Sequence, residues 1–178
     1  MDRADPRTGP DDGALATPHL ELPAFDLATL SALYDDRRNA AARLLRARLP
    51  LGWSIAGEDW LALRITQVEL DPHLAPWLLR AIVRRADRQL LGTVGFHGPP
   101  GSHPLEAEWP GVVEFGYSVA EGFRRNGYAT EAARGLMEWG REHGALTFVL
   151  SIRAANRASR RVAEKLGAAA YGEDWSWD

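Results

Sequence analysis

The sequence predicts a mixed α/β domain, and three observations carry that expectation. A strand pattern at 112–119, a helical pattern from about 128 to 143 and an apolar strand run at 147–153 follow one another through short links. A strand–helix–strand crossover of this kind places its two strands parallel or nearly so. Upstream, two β-rich runs, 77–84 and 89–97, flank the turn-like Arg85-Ala86-Asp87-Arg88, which is a hairpin signature. The chain has 178 residues, 46% of them apolar and 25% charged, which suits one domain with a real core.

Residues 1 to about 17 combine charge, Pro and Gly without apolar periodicity and read as a disordered leader, with a single domain over 18–178. His19–Phe25 reads as a first strand that Pro23 interrupts, and Asp26 caps a helix carrying Leu27, Leu30, Leu33 and Tyr34. A second helix is expected over Asn39–Leu49, ended by Pro50, and a short one over Glu58–Val68. The run 97–104 (HGPPGSHP) is a loop. In 112–119, Val113, Phe115, Tyr117 and Val119 share one face and Glu114, Gly116 and Ser118 the other. Gly116 in mid-strand suggests a bulge or close approach by a ligand. In the next helix Ala129, Ala132, Ala133, Leu136, Met137 and Gly140 form the buried stripe. After 147–153, Asn156 starts a helix that Gly167 ends, and Ala169–Trp177 is a candidate last strand.

Composition excludes several functions. The net charge is −3, so nothing draws the whole chain to nucleic acid or to an anionic surface. Cysteine is absent, which removes disulfides, thiolate metal sites and a cysteine nucleophile. Five histidines without metal-ligand spacing do not suggest zinc. No run approaches the roughly 20 apolar residues of a membrane span, and MDRADPRTGPDDG lacks the apolar core of a signal peptide. A cytoplasmic protein is expected.

The residues richest in chemistry are Arg124-Arg125-Asn126-Gly127-Tyr128-Ala129, just ahead of a helix. A helix N-terminus offers unpaired N–H groups and the positive end of the macrodipole, so it attracts phosphate. Gly127 removes a side chain where a pyrophosphate would come close to the backbone, and two arginines add charge. The same six residues also fit a plain turn with solvated arginines. A P-loop ending and a dinucleotide G-x-G-x-x-G are both missing.

Arg124-x-x-Gly127-x-Ala129 resembles the acyl-CoA pyrophosphate loop, [QR]-x-x-G-x-[GA], of the GNAT superfamily of N-acetyltransferases. Gly116-Tyr117 followed by GYATEA at 127–132 resembles its RimJ/RimL-type branch. Asn156-Arg-Ala-Ser159 with Val162-Ala-Glu-Lys165-Leu166-Gly167 resembles that branch's N-x-x-S-x-x-V-x-x-K-L-G-F segment. The likeness is closest over 89–175 and loose before about 75. It implies a mixed, mostly antiparallel sheet with helices on both faces and two central strands, 112–119 and 147–153, that splay to admit acetyl-CoA. It further implies that the backbone of Tyr117, Ser118 and Val119 pairs with the pantetheine arm. Arg124, Arg125, Asn126, Gly127, Tyr128, Ala129 and Thr130 would hold the pyrophosphate, and Asn156 would orient the arm from the other side.

The reaction implied is acetyl transfer from acetyl-CoA, as co-substrate and without a metal, to a primary amine of a small molecule or a protein N-terminus. Glu114 is the candidate proton acceptor, since it shares a face with Gly116 and Ser118 and precedes the pantetheine-pairing stretch. A strand N–H, at Val119 or near the bulge, would bind the thioester oxygen. Many superfamily members place a tyrosine seven residues after the asparagine to protonate the leaving thiolate. Ala163 stands there, which leaves Ser159, with Tyr171 a weaker substitute. His97 and His103 flank a loop able to shape the acceptor pocket. Arg153, Arg157, Arg160 and Arg161 suit the 3′-phosphate of the coenzyme or a solvated face. The family phenylalanine after K-L-G is Ala168, and the usual further strand beside 147–153 would fall to 169–177 or to another chain, unless the chain stops short of it. A membrane or nucleic acid is not expected as partner, while a second copy of the chain is a candidate. The other function class on this sequence is an acyl-CoA-binding module without catalysis.

Overall fold

A computed structural model of the chain describes residues 15–55 and 57–169. The alternation in 112–119 becomes a full strand, and the other elements assemble around it. Among the described residues one sheet runs in chain order: β1 (Leu15–Ala16), β2 (Leu20–Leu22), β3 (Arg80–Arg84), β4 (Gln89–Phe96), β5 (Val112–Val119) and β6 (Thr147–Val149). Neighbours are antiparallel except β5 and β6, which are parallel as a crossover requires. The helices are α1 (Leu27–Tyr34), α2 (Arg38–Leu44), α3 (Glu58–Leu70), the single turn α4 (Ala75–Leu78), α5 (Tyr128–Glu142) and α6 (Arg157–Lys165). α1 begins where expected, with Asp26 Oδ1 accepting the Thr29 N–H at 2.8 Å.

The sheet is covered on both faces, and the period of two decides which residue meets which core. Ile82, Val94, Phe96, Val113, Phe115 and Val119 pack against Ala132, Leu136 and Trp139 of α5. Ala81, Val83 and Leu90 instead meet Phe25, Leu30, Leu45, Leu61 and Val68 from the N-terminal segments. Arg80 is buried, yet its charge is accommodated. Its Nε donates to the Pro76 carbonyl at 2.9 Å, Nη1 donates to the Leu22 carbonyl at 3.0 Å, and the guanidinium lies 4.5 Å from the Trp139 ring centroid.

β5 and β6 pair only through Val112–Glu114 and Thr147–Val149. Beyond Glu114, β5 continues to Val119 with no strand on that edge among the described residues. This is the splay that the resemblance implies. It also shortens the expected 147–153 strand, because 150–153 leave the ladder.

Other boundaries move for identifiable reasons. α2 stops at Leu44 rather than Leu49 because Arg46 turns left-handed (φ 48°) and the Ala47 N–H closes on the Ala42 carbonyl at 3.0 Å. Arg48 then joins β4, donating to the Arg88 carbonyl at 2.8 Å and accepting from the Leu90 N–H at 2.9 Å. Trp77 and Leu78, expected in the hairpin, belong to α4. Leu15 and Ala16, inside the expected leader, pair with Leu22 and Glu21. The candidate last strand beyond Ala169, Tyr171 included, lies outside the described residues, as do residues 1–14.

Gly95 is where the sheet meets α4 most tightly. A Cβ there would sit 2.2 Å from the Leu78 carbonyl oxygen and 3.0 Å from Leu79 Cα, both backbone atoms without rotamer freedom. Gly95→Ala should therefore cost about 1–3 kcal/mol and lower the melting temperature by roughly 2–12 °C. Calorimetric unfolding measures it, and an unchanged melting temperature would mean the close approach is absent.

Candidate active site

The open edge of β5 has a definite chemical character. The ladder to β4 is fixed at both ends, by the His97 N–H donating to the Glu114 carbonyl at 2.8 Å and the Ala120 N–H donating to the Leu91 carbonyl at 2.8 Å. An antiparallel strand alternates its bonding direction, so Gly116 and Ser118 turn their backbone groups toward β4. Tyr117 and Val119 turn theirs toward the gap left by β6. Of the three residues expected to pair with the pantetheine arm, Ser118 thus spends its backbone within the sheet. The Val119 carbonyl is already taken by Arg124 Nε at 2.9 Å, which leaves its N–H on the open side.

From the end of β5 the chain turns through 120–127 into α5. Arg125 (φ 64°) and Gly127 (φ 83°) are both left-handed, a conformation that favours glycine. Asn126 braces the turn, its Nδ2 donating to the Phe123 carbonyl at 3.1 Å and the Arg124 carbonyl at 3.0 Å. Gly127 is the N-cap and supplies no capping side chain; the first helical bond of the turn runs from the Glu131 N–H to its carbonyl at 3.0 Å. The N–H groups of Tyr128, Ala129 and Thr130 therefore have no partner within the helix. The Tyr128 hydroxyl accepts from Arg84 at 3.3 Å, and Arg84 is held by Asp87 at 2.8 Å. Glu131 ties this helix to the β1–β2 turn, accepting from the Thr17 hydroxyl at 2.5 Å and the His19 N–H at 2.8 Å.

These elements enclose a cleft of about 1020 Å³ between β5, the turn, α5 and α6. Tyr117, Ser118, Val119, Arg124, Arg125, Gly127, Tyr128, Ala129, Thr130, Asn156 and Ser159 all line it, so the structure brings together every expected binding residue except Asn126. Across the cleft Asn156 caps α6, its Oδ1 accepting the Ser159 N–H at 3.1 Å. Burial pushes the Tyr117 phenol up, and the adjacent Ser159 hydroxyl offsets part of that. Arg157, Arg161 and Lys165 add positive charge to the same wall.

Glu114 and Ser159 do not share a wall. Glu114 lies on the face of β5 opposite Tyr117, at the point where β5 and β6 part, and does not line the cleft. Its Oε2 is 3.2 Å from His97 Nδ1 and 3.6 Å from His103 Nε2. The His97 hydrogen bond draws the carboxyl well below its ordinary range against the opposing effect of burial, and bonding to Ser151 helps, to about 2. That the two histidines converge on Glu114 was not among the sequence expectations. Residue 97 stands directly across from 114 in the β4–β5 register, but a loop of more than ten residues separates them and hides that register. Among the described residues no group of three His, Cys, Asp or Glu side chains is placed to hold a metal ion. No described helix is long and apolar enough to cross a membrane.

The GNAT acetyltransferase domain model matches residues 21–169. Two Bacillus subtilis proteins are related in sequence. YkkB, uncharacterized, is 40% identical over 75 residues (40% of this chain and 42% of YkkB), and the uncharacterized N-acetyltransferase YjdG is 29% identical over 87 residues (48% of each). The matched stretch thus spans less than half the length of either relative. A putative GNAT-family acetyltransferase structure from Bordetella pertussis is 22% identical, superposes with a TM-score of 0.62 and is covered to 93%, as is this chain. At that identity the superposition speaks for the fold.

A depressed carboxyl favours the folded state above its ordinary pKa, and that contribution is lost as pH falls toward the folded value. Glu114→Gln should therefore destabilise the protein at pH 7, with the gap to wild type closing between about pH 4.5 and 2. Urea unfolding across that range measures it, and a gap that stays constant would contradict the hydrogen-bonded geometry.

Proposed function

The chain belongs to the GNAT acetyltransferase family, and on that premise we propose that it transfers an acetyl group from acetyl-CoA to a primary amine by direct attack in a ternary complex. One observation carries the reading: an unpaired strand edge and an uncapped helix N-terminus open into the same basic cleft. The edge suits the amide-bearing pantetheine arm, and the helix end suits a pyrophosphate. Acetyl-CoA would lie with its phosphates on the N–H groups of Tyr128, Ala129 and Thr130, near Arg124 and Arg125. Its arm would bond to the Tyr117 carbonyl and the Val119 N–H, with Asn156 on the other side. The Gly116-Tyr117 and GYATEA residues favour the RimJ/RimL-type branch, and with it an α-amino group or a small-molecule amine as acceptor.

In the reaction a neutral amine attacks the thioester carbon. The N–C bond forms, the carbonyl oxygen becomes negative against the Tyr117 N–H beside Gly116, and the C–S bond then breaks. The thiolate takes a proton from the Ser159 side, and the surplus proton on nitrogen leaves toward the Glu114 cluster. Removing one oxyanion donor costs other enzymes roughly 10²–10³ in turnover, which sets the scale for the Tyr117 N–H. Ala163, where many members carry the acid tyrosine, favours a second reading, an acyl-CoA-binding module that does not turn over.

Thiol release from acetyl-CoA across peptides, polyamines and aminoglycosides separates the two readings. Turnover with one acceptor supports the enzyme, and coenzyme binding without turnover on any of them selects the module. Gly127→Glu should abolish the calorimetric heat of coenzyme A binding in a protein that stays folded, because a carboxylate would occupy the anion seat at a left-handed position. Unchanged affinity would remove the turn from the binding site.

A further inference from the structure

The proton-accepting atom on the acceptor side can be specified further from hydrogen-bond directions. His103 Nδ1 accepts the Leu105 N–H at 3.1 Å, so that nitrogen carries no proton and Nε2 carries one, directed at Glu114 Oε2. His97 has the reverse arrangement. Its Nδ1 faces the same carboxylate oxygen at 3.2 Å and therefore holds a proton, so that in the neutral imidazole the lone pair lies on Nε2. That Nε2 lies against β5, 3.6 Å from where a Cβ on Gly116 would be. Gly116 has no side chain, so nothing of its own shields this nitrogen from the strand beside Tyr117. The His97 side chain is 51% exposed, whereas Glu114 and His103 are 18% and 15% exposed. Among the three, His97 has the accessible side chain.

Resting on the acetyl-transfer reading above, we infer that His97 Nε2 is the immediate proton acceptor for the attacking amine, and that Glu114 is a positioning residue that fixes the His97 tautomer and balances the imidazolium. As the amine nitrogen bonds to the acyl carbon, one N–H bond breaks and its proton forms the Nε2–H bond of His97. The imidazolium sits against the Glu114 carboxylate until it passes the proton to water, while the C–S bond breaks and the thiolate is protonated from the α6 side. Glu114, held as a carboxylate down to about pH 2, is a weak base near neutrality but a lasting counter-charge. Histidine is the side chain whose ordinary titration lies nearest the working range of such a base. The titratable and charged groups facing His97 are Glu114 from β5, His103 from the following loop, and Arg64 of α3, whose Nη1 lies 3.4 Å from the His97 carbonyl.

Bromoacetyl-CoA tests this without knowledge of the acceptor. The coenzyme delivers an electrophilic carbon to the acyl position; an unprotonated His97 Nε2 bonds to it, bromide leaves, and the Nδ1–H stays against Glu114. Peptide mapping by mass spectrometry should find the adduct on His97, with none on His103. Long-range ¹⁵N–¹H spectra of the free protein should show His97 as the Nδ1–H tautomer and His103 as the Nε2–H tautomer. His97→Gln should keep the calorimetric heat of coenzyme A and lose the adduct, and Glu114→Gln should slow labelling several-fold. Coenzyme binding with labelling elsewhere or nowhere, or a His97 Nε2–H tautomer, would overturn the inference. Absence of heat with coenzyme A would instead overturn the reading on which it rests.

Discussion

An interior strand edge that no other described strand covers is the constraint around which the molecule is organised. Backbone N–H and C=O groups removed from water cost free energy unless they are paired, and an open sheet edge invites pairing with whatever reaches it. Here the opening is confined to β5 beyond Glu114. The parallel ladder with β6 holds the two strands together at one end, through Val112–Glu114 and Thr147–Val149, and lets them part at the other. Arg124 satisfies the Val119 carbonyl from the following turn, so the edge is trimmed to a few groups rather than left as a long sticky strand. What remains is short enough for one extended ligand.

The gap connects two environments of different chemistry. On the α5–α6 side lie the helix N-terminus, several arginines and the Tyr117–Ser159 hydroxyls, which the proposed reaction would use for phosphates and a leaving thiol. On the opposite face Glu114 is clasped between His97 and His103 where the strands part. The alternation of β5 achieves this separation, since Tyr117 and Glu114 differ by an odd number of residues and project to opposite faces. A transfer reaction needs one proton removed and another supplied at different atoms. In the proposed reaction, a single strand that carries one polar group on each face would meet that need with little machinery.

Much of this was legible because the signals were local. The 112–119 strand, the Asp26 cap, and the Arg124–Gly127 turn opening into α5 each follow from a handful of adjacent residues whose conformational preferences agree. The parallel crossover followed from chain order. What escaped depended on distant partners. Arg48 leaves its helix because β4 offers it backbone bonds 40 residues later in the chain, and a run of Ala, Leu and Arg gives no hint of that. β6 stops at Val149 although Leu150–Ile152 read as strand, because the edge it would cover is the one that opens. The histidine pair was invisible for the same reason. A lone loop histidine has no partner until the hairpin register sets residue 97 opposite residue 114 and the loop folds residue 103 back.

Residue-resolved amide hydrogen exchange with and without acetyl-CoA reports which backbone groups of β5 are open to a ligand. The account predicts that the Gly116 and Ser118 amides are protected in both states, whereas those of Tyr117 and Val119 exchange quickly in the free protein and slow markedly on saturation. Equal exchange of Tyr117 and Val119 in the two states, with the coenzyme shown to be bound, would contradict it.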